Sequence, residues 1–146
     1  YLENGPACVI AVEEVSPATV SQYGIVAPGT NGEVFPIVDL IEKPSPEQAP
    51  SNLAIAARYV FGPSIYEAIS MTLPGKNGEI QLTDAIRLLL QRGEKVVGVR
   101  LPPNVRRYDI GNFQSYFEAF LDFVLSDPQL GPPLKRRILE QYSENH

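Results

Sequence analysis

The chain has 146 residues, of which 44% are hydrophobic and 20% charged, and its formal net charge is −5. This composition is typical of a folded domain with one hydrophobic core. No apolar stretch approaches the roughly 18 residues of a membrane helix, and the acidic balance removes a general attraction to nucleic acid, so neither a membrane nor a nucleic acid is an expected partner. The single cysteine, Cys8, excludes an internal disulfide and is compatible with the reducing cytoplasm; catalysis by the single histidine, His146, is not expected.

Five segments rich in β-branched and aromatic residues predict strands. They are residues 7–15, 23–27, 34–41, 53–61 and 95–101. Pro and Gly between the second and third segments predict a hairpin-like pair. Pro44 predicts the end of the third strand, because proline cannot donate a ladder hydrogen bond.

Helices are predicted between and after these strands. A helical turn begins at Ser16, a helix capped by Ser64 extends to about residue 71, and helical spacing from Leu82 ends at Gly93, a C′ glycine. After an extended piece that ends at Tyr108 and Asp109, a helix capped by Asn112 carries aromatic residues expected to pack, and a last helix begins near residues 132–133. Strands alternating with helices predict an α/β fold with a mixed sheet flanked by helices.

Polar residues at the ends of apolar segments are the candidates for ligand contacts, because open α/β sheets present ligands there. Three such places are 23–24, 42–43 and 108–109. Glu42 and Lys43 would point to opposite faces of a regular strand, so both can reach one ligand only if the strand ends there. The alternatives are a solvated strand end for this pair and a helix-start carboxylate for Asp109.

Five strings occur in one order along most of the chain. They are YGIV at 23–26, IEKP at 41–44, SNLAIA at 51–56, GEIQLTDAI at 78–86 and RYDIGN at 107–112. From about residue 7 to residue 124 the sequence strongly resembles the bacterial UTP–glucose-1-phosphate uridylyltransferases, also called UDP-glucose pyrophosphorylases. Members of this family form UDP-glucose and pyrophosphate from UTP and glucose 1-phosphate with Mg²⁺.

The resemblance implies a role for each matching position. Glu42 would accept hydrogen bonds from sugar hydroxyls, Lys43 would hold the sugar phosphate, and Gly24 would contact the sugar through its backbone, where a Cβ would obstruct it. Ile55 would line the sugar pocket with its backbone, and Glu79 would lie near the rim.

Lys43 and Asp109 are the two catalytic candidates that the resemblance implies. Asp109 would also help to hold Mg²⁺, a hard cation that prefers carboxylate and phosphate oxygens. The neighbouring pair at 106–107 could touch phosphate, although Arg106 and Arg107 are better interpreted as a solvated edge. Cys8, in an apolar run, is interpreted as inert.

The family also begins with a Gly-rich nucleotide-binding segment and an Asp that supplies another Mg²⁺ contact, and neither occurs in this sequence. The resemblance therefore implies the C-terminal, sugar-phosphate half of a Rossmann-like nucleotide-diphospho-sugar transferase fold. We expect residues 1–125 to form this half and residues 126–146 a helical tail. We also expect exposed sheet edges, a cytoplasmic homo-oligomer, and no uridylyl transfer without the missing half.

The sequence departs from the family pattern at two positions, and two other functions compete with the one implied by the resemblance. The family usually has Gly where Ala57 stands, which raises a question of close backbone packing, and often Lys where Phe113 stands. One alternative is half of a sugar-1-phosphate thymidylyltransferase that uses dTTP. The other is a non-catalytic oligomerisation or interaction module, against which the joint presence of Glu42, Lys43 and Asp109 argues.

Overall fold

The computed structural model of the chain describes residues 5–75, 78–105 and 107–143. They form two compact units, Tyr1–Val105 and Arg106–His146. Arg106 and His146, both considered above, lie outside the described residues. None of the helices in the described ranges combines the length and the apolar character that crossing a bilayer requires. The functional boundary at residue 125 stays a prediction.

All five predicted strands are confirmed in the first unit. They are β1 (Cys8–Glu14), β2 (Gly24–Pro28), β3 (Val34–Glu42), β4 (Leu53–Phe61) and β5 (Val96–Arg100). The ladder closes on itself in the order β1-β4-β2-β3-β5, with β5 beside β1. The β1–β5 pair is parallel and the other pairs are antiparallel, which confirms a mixed sheet.

The closed order corrects the expectation of exposed sheet edges. Each of the five described strands has a hydrogen-bonded neighbour on both sides, including the single pair Ile25–Ala54 that joins β2 to β4. Along much of β1 and β3, every second side chain is buried in the core that the strands share with the helices. In β3, for example, Phe35 and Ile37 are buried while Val34 and Val38 are 60% exposed.

Two helices of the first unit follow β4. They are α1 (Ser64–Met71) and α2 (Leu82–Gln91), preceded along the chain by a 3₁₀ helix, Pro17–Gln22, that Ser16 caps as predicted. The predicted cap of α1 is wrong, because Pro63 occupies the N-cap position and the Ser64 hydroxyl donates to Glu94 at 2.6 Å. The predicted end of α2 is confirmed, since Gly93 follows the helix with φ +77°.

The second unit contains α3 (Phe113–Ser126) and α4 (Gly131–Ser143), which pack against each other. The Asn112 side chain accepts a hydrogen bond from the Ser115 amide at 3.0 Å, which confirms the predicted cap. The described residues between β5 and α3 contain no strand, so the extended piece before Tyr108 joins no ladder.

Candidate functional site

The site begins where β2 starts and β3 ends. Gly24 is the first residue of β2 and pairs with Glu42, the last residue of β3. The next residue, Lys43, has φ +45°, and its amide donates to the Tyr23 carbonyl at 3.0 Å. The left-handed backbone turns the chain out of the ladder before Pro44. Lys43 is therefore outside the regular strand, so its side chain need not point to the face opposite that of Glu42.

The Glu42 carboxylate lies in a cluster with three other residues. The Thr83 hydroxyl, on the first turn of α2, donates a hydrogen bond of 2.5 Å to Glu42 Oε2. A Cβ on Gly24 would lie 2.9 Å from Ile55 Cδ1 and 3.0 Å from Glu42 Oε2, so only glycine fits there without displacing a neighbour. The structure thus brings together Gly24, Glu42 and Ile55, and it adds Thr83.

A cavity of about 570 Å³ opens beside this cluster. It is lined by Leu40, Ile41, Glu42, Lys43, Gly75, Glu79, Gln81, Asp84 and Arg87. Glu79 lies beside Gly75, because the Glu79 carbonyl accepts a hydrogen bond from the Gly75 amide at 2.8 Å. The volume lies within the range of small-molecule pockets.

The two cations of the cavity differ in their surroundings. Arg87 forms a two-point ion pair with Asp39, with Nε 2.9 Å from Oδ1 and Nη2 3.0 Å from Oδ2. Lys43 is exposed and forms no ion pair with a described residue. Lys43 is therefore the cavity cation that is available to an anionic ligand.

Two titratable groups of the β-sheet core have raised pKa values. Burial, followed by the charge of Glu42 and by the Cys8 thiol, raises the pKa of Tyr59. Burial raises the pKa of Cys8 to about 12, so the thiol stays protonated at neutral pH. This supports the interpretation of Cys8 as unreactive.

Asp109 lies in the second unit, in the loop before α3. Its Oδ1 accepts a hydrogen bond from the Gly111 amide at 3.2 Å, its Oδ2 lies 3.4 Å from Arg107 Nη1, and its side chain is 60% exposed. The first contact is a turn within the loop, because Gly111 precedes the Asn112 cap of α3, so it is not the helix-start role given above as the alternative. The described residues contain no cluster of three or more His, Cys, Asp or Glu side chains suited to a metal. Asp109 can accordingly offer one carboxylate, a donor set that fits Mg²⁺ only where phosphate oxygens and water complete the coordination.

Sequence reasoning missed Thr83. It lies three residues before Ile86, on the face of α2 that packs into the core, and it is 6% exposed. A hydroxyl on an otherwise apolar stripe requires a partner, because an unpaired buried polar group is costly. The polar Thr83 on the apolar face of α2 could therefore have been noticed in the sequence, although the sequence could not identify Glu42 as its partner.

The chain matches the family model described as nucleotidyl transferase over residues 3–124. It is 41% identical over 112 residues to a UTP–glucose-1-phosphate uridylyltransferase of Pseudomonas aeruginosa, covering 76% of this chain and 39% of the relative. It is 36% identical over 140 residues to the enzyme of that name from Streptococcus pneumoniae, covering 94% of this chain and 46% of the relative. The chain thus spans less than half the length of these relatives.

Solved structures give the same result. A UDP-glucose pyrophosphorylase complexed with UDP-glucose superposes with a TM-score of 0.74 at 40% identity, covering 80% of this chain and 44% of that one. A UTP-bound UGPase from Acinetobacter baumannii superposes with a TM-score of 0.78 at 36% identity, covering 92% and 45%. The chain belongs to the nucleotidyl transferase family.

Proposed function

We propose that this chain provides the sugar-phosphate site of an enzyme that forms UDP-glucose and pyrophosphate from UTP and glucose 1-phosphate. One observation carries the proposal: the adjacent Glu42 and Lys43 side chains line the same cavity, because the backbone turns at Lys43. A carboxylate that can accept from hydroxyls, beside a cation with no ion-pair partner in the described ranges, matches a ligand that is a sugar at one end and an anion at the other. The names of the relatives supply the particular sugar and nucleotide.

Each candidate residue of the first unit has a distinct part in this proposal. Glu42 accepts hydrogen bonds from sugar hydroxyls, and Lys43 binds the phosphate. Gly24 and Ile55 are not among the lining residues of the cavity; they lie beside the Glu42 carboxylate, and contacts of their backbones with the sugar remain part of the proposal. Glu79 closes the rim and faces sugar rather than phosphate, because its charge would repel an anion.

The proposed reaction needs little covalent chemistry from the protein. A phosphate oxygen of glucose 1-phosphate forms a bond to the α-phosphorus of UTP, and the bond from that phosphorus to the bridging oxygen breaks, so that pyrophosphate leaves. Lys43 holds the attacking group and offsets its charge, which makes positioning and electrostatics the main contributions. Asp109 would contribute one carboxylate to Mg²⁺, which neutralises phosphate charge when bound.

We further propose that turnover requires a nucleotide-binding part beyond this chain. The sequence contains no Gly-rich phosphate-binding pattern; its nearest approach, residues 74–78, lacks that pattern, and of these residues Gly75 lines the cavity. The chain alone should bind glucose 1-phosphate and release no pyrophosphate from UTP. A cytoplasmic homo-oligomer is part of the same proposal and follows from the resemblance.

Binding of glucose 1-phosphate to this chain tests the proposal without requiring turnover. Ligand-observed NMR would compare the wild type with Lys43→Ala and with Lys95→Ala, a matched control whose lysine lines a separate groove. We expect binding by the wild type and the control, and a loss of about tenfold or more in Lys43→Ala, since a charged hydrogen bond contributes about 1.5–3 kcal/mol. Equal binding by all three proteins would remove Lys43 from the site. No binding by the wild type would favour the non-catalytic interaction module.

A further inference from the structure

Thr83 is a buried polar residue whose hydroxyl has one partner among the described residues, the Glu42 carboxylate. Its position on α2 fixes the direction from which the bond comes. Ala85, Ile86 and Leu89 on the same helix are fully buried, so the helix cannot rotate without exposing them. The hydroxyl is therefore held on a rigid element, whereas Glu42 stands at the end of a strand.

Glu42 is constrained from several sides by this arrangement. Oε2 accepts the Thr83 hydrogen bond, and a Cβ on Gly24 would lie only 3.0 Å from that oxygen, so glycine at this position leaves the carboxylate where the hydroxyl holds it. Oε1 forms no hydrogen bond with a described residue, and Glu42 lines the cavity. A carboxylate oxygen accepts hydrogen bonds, so Oε1, which has no donor among the described residues, can accept them from the hydroxyls of a ligand.

A glutamate side chain without such a contact populates several rotamers, and binding a sugar would require it to give up that freedom. A hydroxyl that already holds one carboxylate oxygen removes this cost before the ligand arrives. The contribution concerns only the sugar end of the ligand, because Lys43 binds the anionic end independently.

We propose that Thr83 is the positioning residue of the sugar site, which holds Glu42 so that Oε1 faces sugar hydroxyls. It thereby sets the preference of the cavity for a sugar phosphate over a bare phosphate anion. This inference rests on the proposed function, which supplies the sugar phosphate as the ligand.

The test compares two ligands and three proteins. Glucose 1-phosphate and inorganic phosphate would each be titrated into ¹⁵N-labelled wild type, Thr83→Val and Thr83→Ser, with amide shifts giving the dissociation constants. Val keeps the shape of Thr without the hydroxyl, and Ser keeps the hydroxyl without the methyl group. We expect Thr83→Val to weaken glucose 1-phosphate binding about tenfold while phosphate binding stays within about twofold, and Thr83→Ser to restore most of the lost affinity.

The outcomes separate this inference from the function on which it rests. Equal binding of glucose 1-phosphate by wild type and Thr83→Val would overturn the positioning role and leave the proposed function intact. A parallel loss for both ligands would show a general distortion of the cavity and would also overturn it. Failure of the wild type to bind glucose 1-phosphate, while it still binds phosphate, would overturn the proposed function and this inference with it.

Discussion

At the scale of single residues, two positions other than glycine have a left-handed backbone in the described part of the chain: Lys43, with φ +45°, and Ala57, with φ +51°. At Lys43 this conformation follows the last residue of β3, and Lys43 lines the cavity. Ala57 is exposed in a bulge of β4, where three residues lie between the pairs Ile10–Tyr59 and Val12–Ile55. This positive φ gives a backbone reason for the glycine that the resemblance leads us to expect at this position.

The substitution Ala57→Gly is expected to stabilise the chain by about 1 kcal/mol, because a left-handed conformation is strained for alanine and free for glycine. Thermal unfolding should show a midpoint about 3–5 °C higher. The control Ala56→Gly changes the neighbouring residue, which is 1% exposed and has no positive φ, and it should lower the midpoint. A lower unfolding midpoint for both variants would contradict the backbone strain that we assign to Ala57.

At the scale of secondary structure elements, hydrophobic patterning predicted the strands and α2 well, because these elements bury one continuous face against the first unit's core. It was only partly right for the aromatic residues of α3, which were expected to pack: the rings of Tyr116 and Phe117 contact each other edge to face, with centroids 5.7 Å apart, but the face is not buried. Tyr116, Phe117 and Phe120 are 48%, 58% and 54% exposed. Periodicity identifies which face of a helix is apolar but not whether another element covers it.

The site shows the same division between local and long-range information. Pro44 predicted that β3 ends at Glu42 and Lys43, because proline acts on its immediate neighbours. The bond from Thr83 to Glu42 spans 41 positions in the sequence, and no local pattern specifies it. The ring closure of the strands was likewise missed, since it depends on β5 pairing with both β1 and β3.

The start of α4 is expected to depend on the ionisation of Asp127. Its Oδ1 accepts hydrogen bonds from the Gln129 and Leu130 amides, both at 2.8 Å, and these bonds lower the pKa of Asp127. A lowered pKa means that the stabilisation is present above the ordinary value of about 3.9 and is lost as the pH falls through the lower, folded-state value.

The amide shifts of Gln129 and Leu130 should therefore be constant from about pH 7 to pH 5 and should titrate together below about pH 4. Asp127→Asn should abolish this titration. Glu118→Gln, which removes a carboxylate that accepts from the Gln114 side chain, should leave it unchanged. Titration of both amides in Asp127→Asn would assign the transition to another group.

At the scale of the whole molecule, the division after Val105 separates the candidate residues. Gly24, Glu42, Ile55 and Thr83 meet within the first unit, as do the residues that line the cavity, whereas Asp109 belongs to the second. The main apolar cluster of the first unit extends from Cys8 to Val96, so its members all precede the division. Folding of the first unit and binding at its cavity are therefore expected to be separable from the second unit.

A chain ending at Val105 should fold cooperatively and bind glucose 1-phosphate with an affinity within about threefold of the full chain, a difference of less than about 0.7 kcal/mol. Thermal unfolding followed by circular dichroism would measure the first property, and the NMR titration would measure the second. Lys43→Ala in the shortened chain should weaken binding about tenfold or more, the same loss that is expected in the full chain. A shortened chain that folds but does not bind would show that the second unit supplies a group to the sugar-phosphate site. One that does not fold would show that the core up to Val96 depends on contacts beyond Val105.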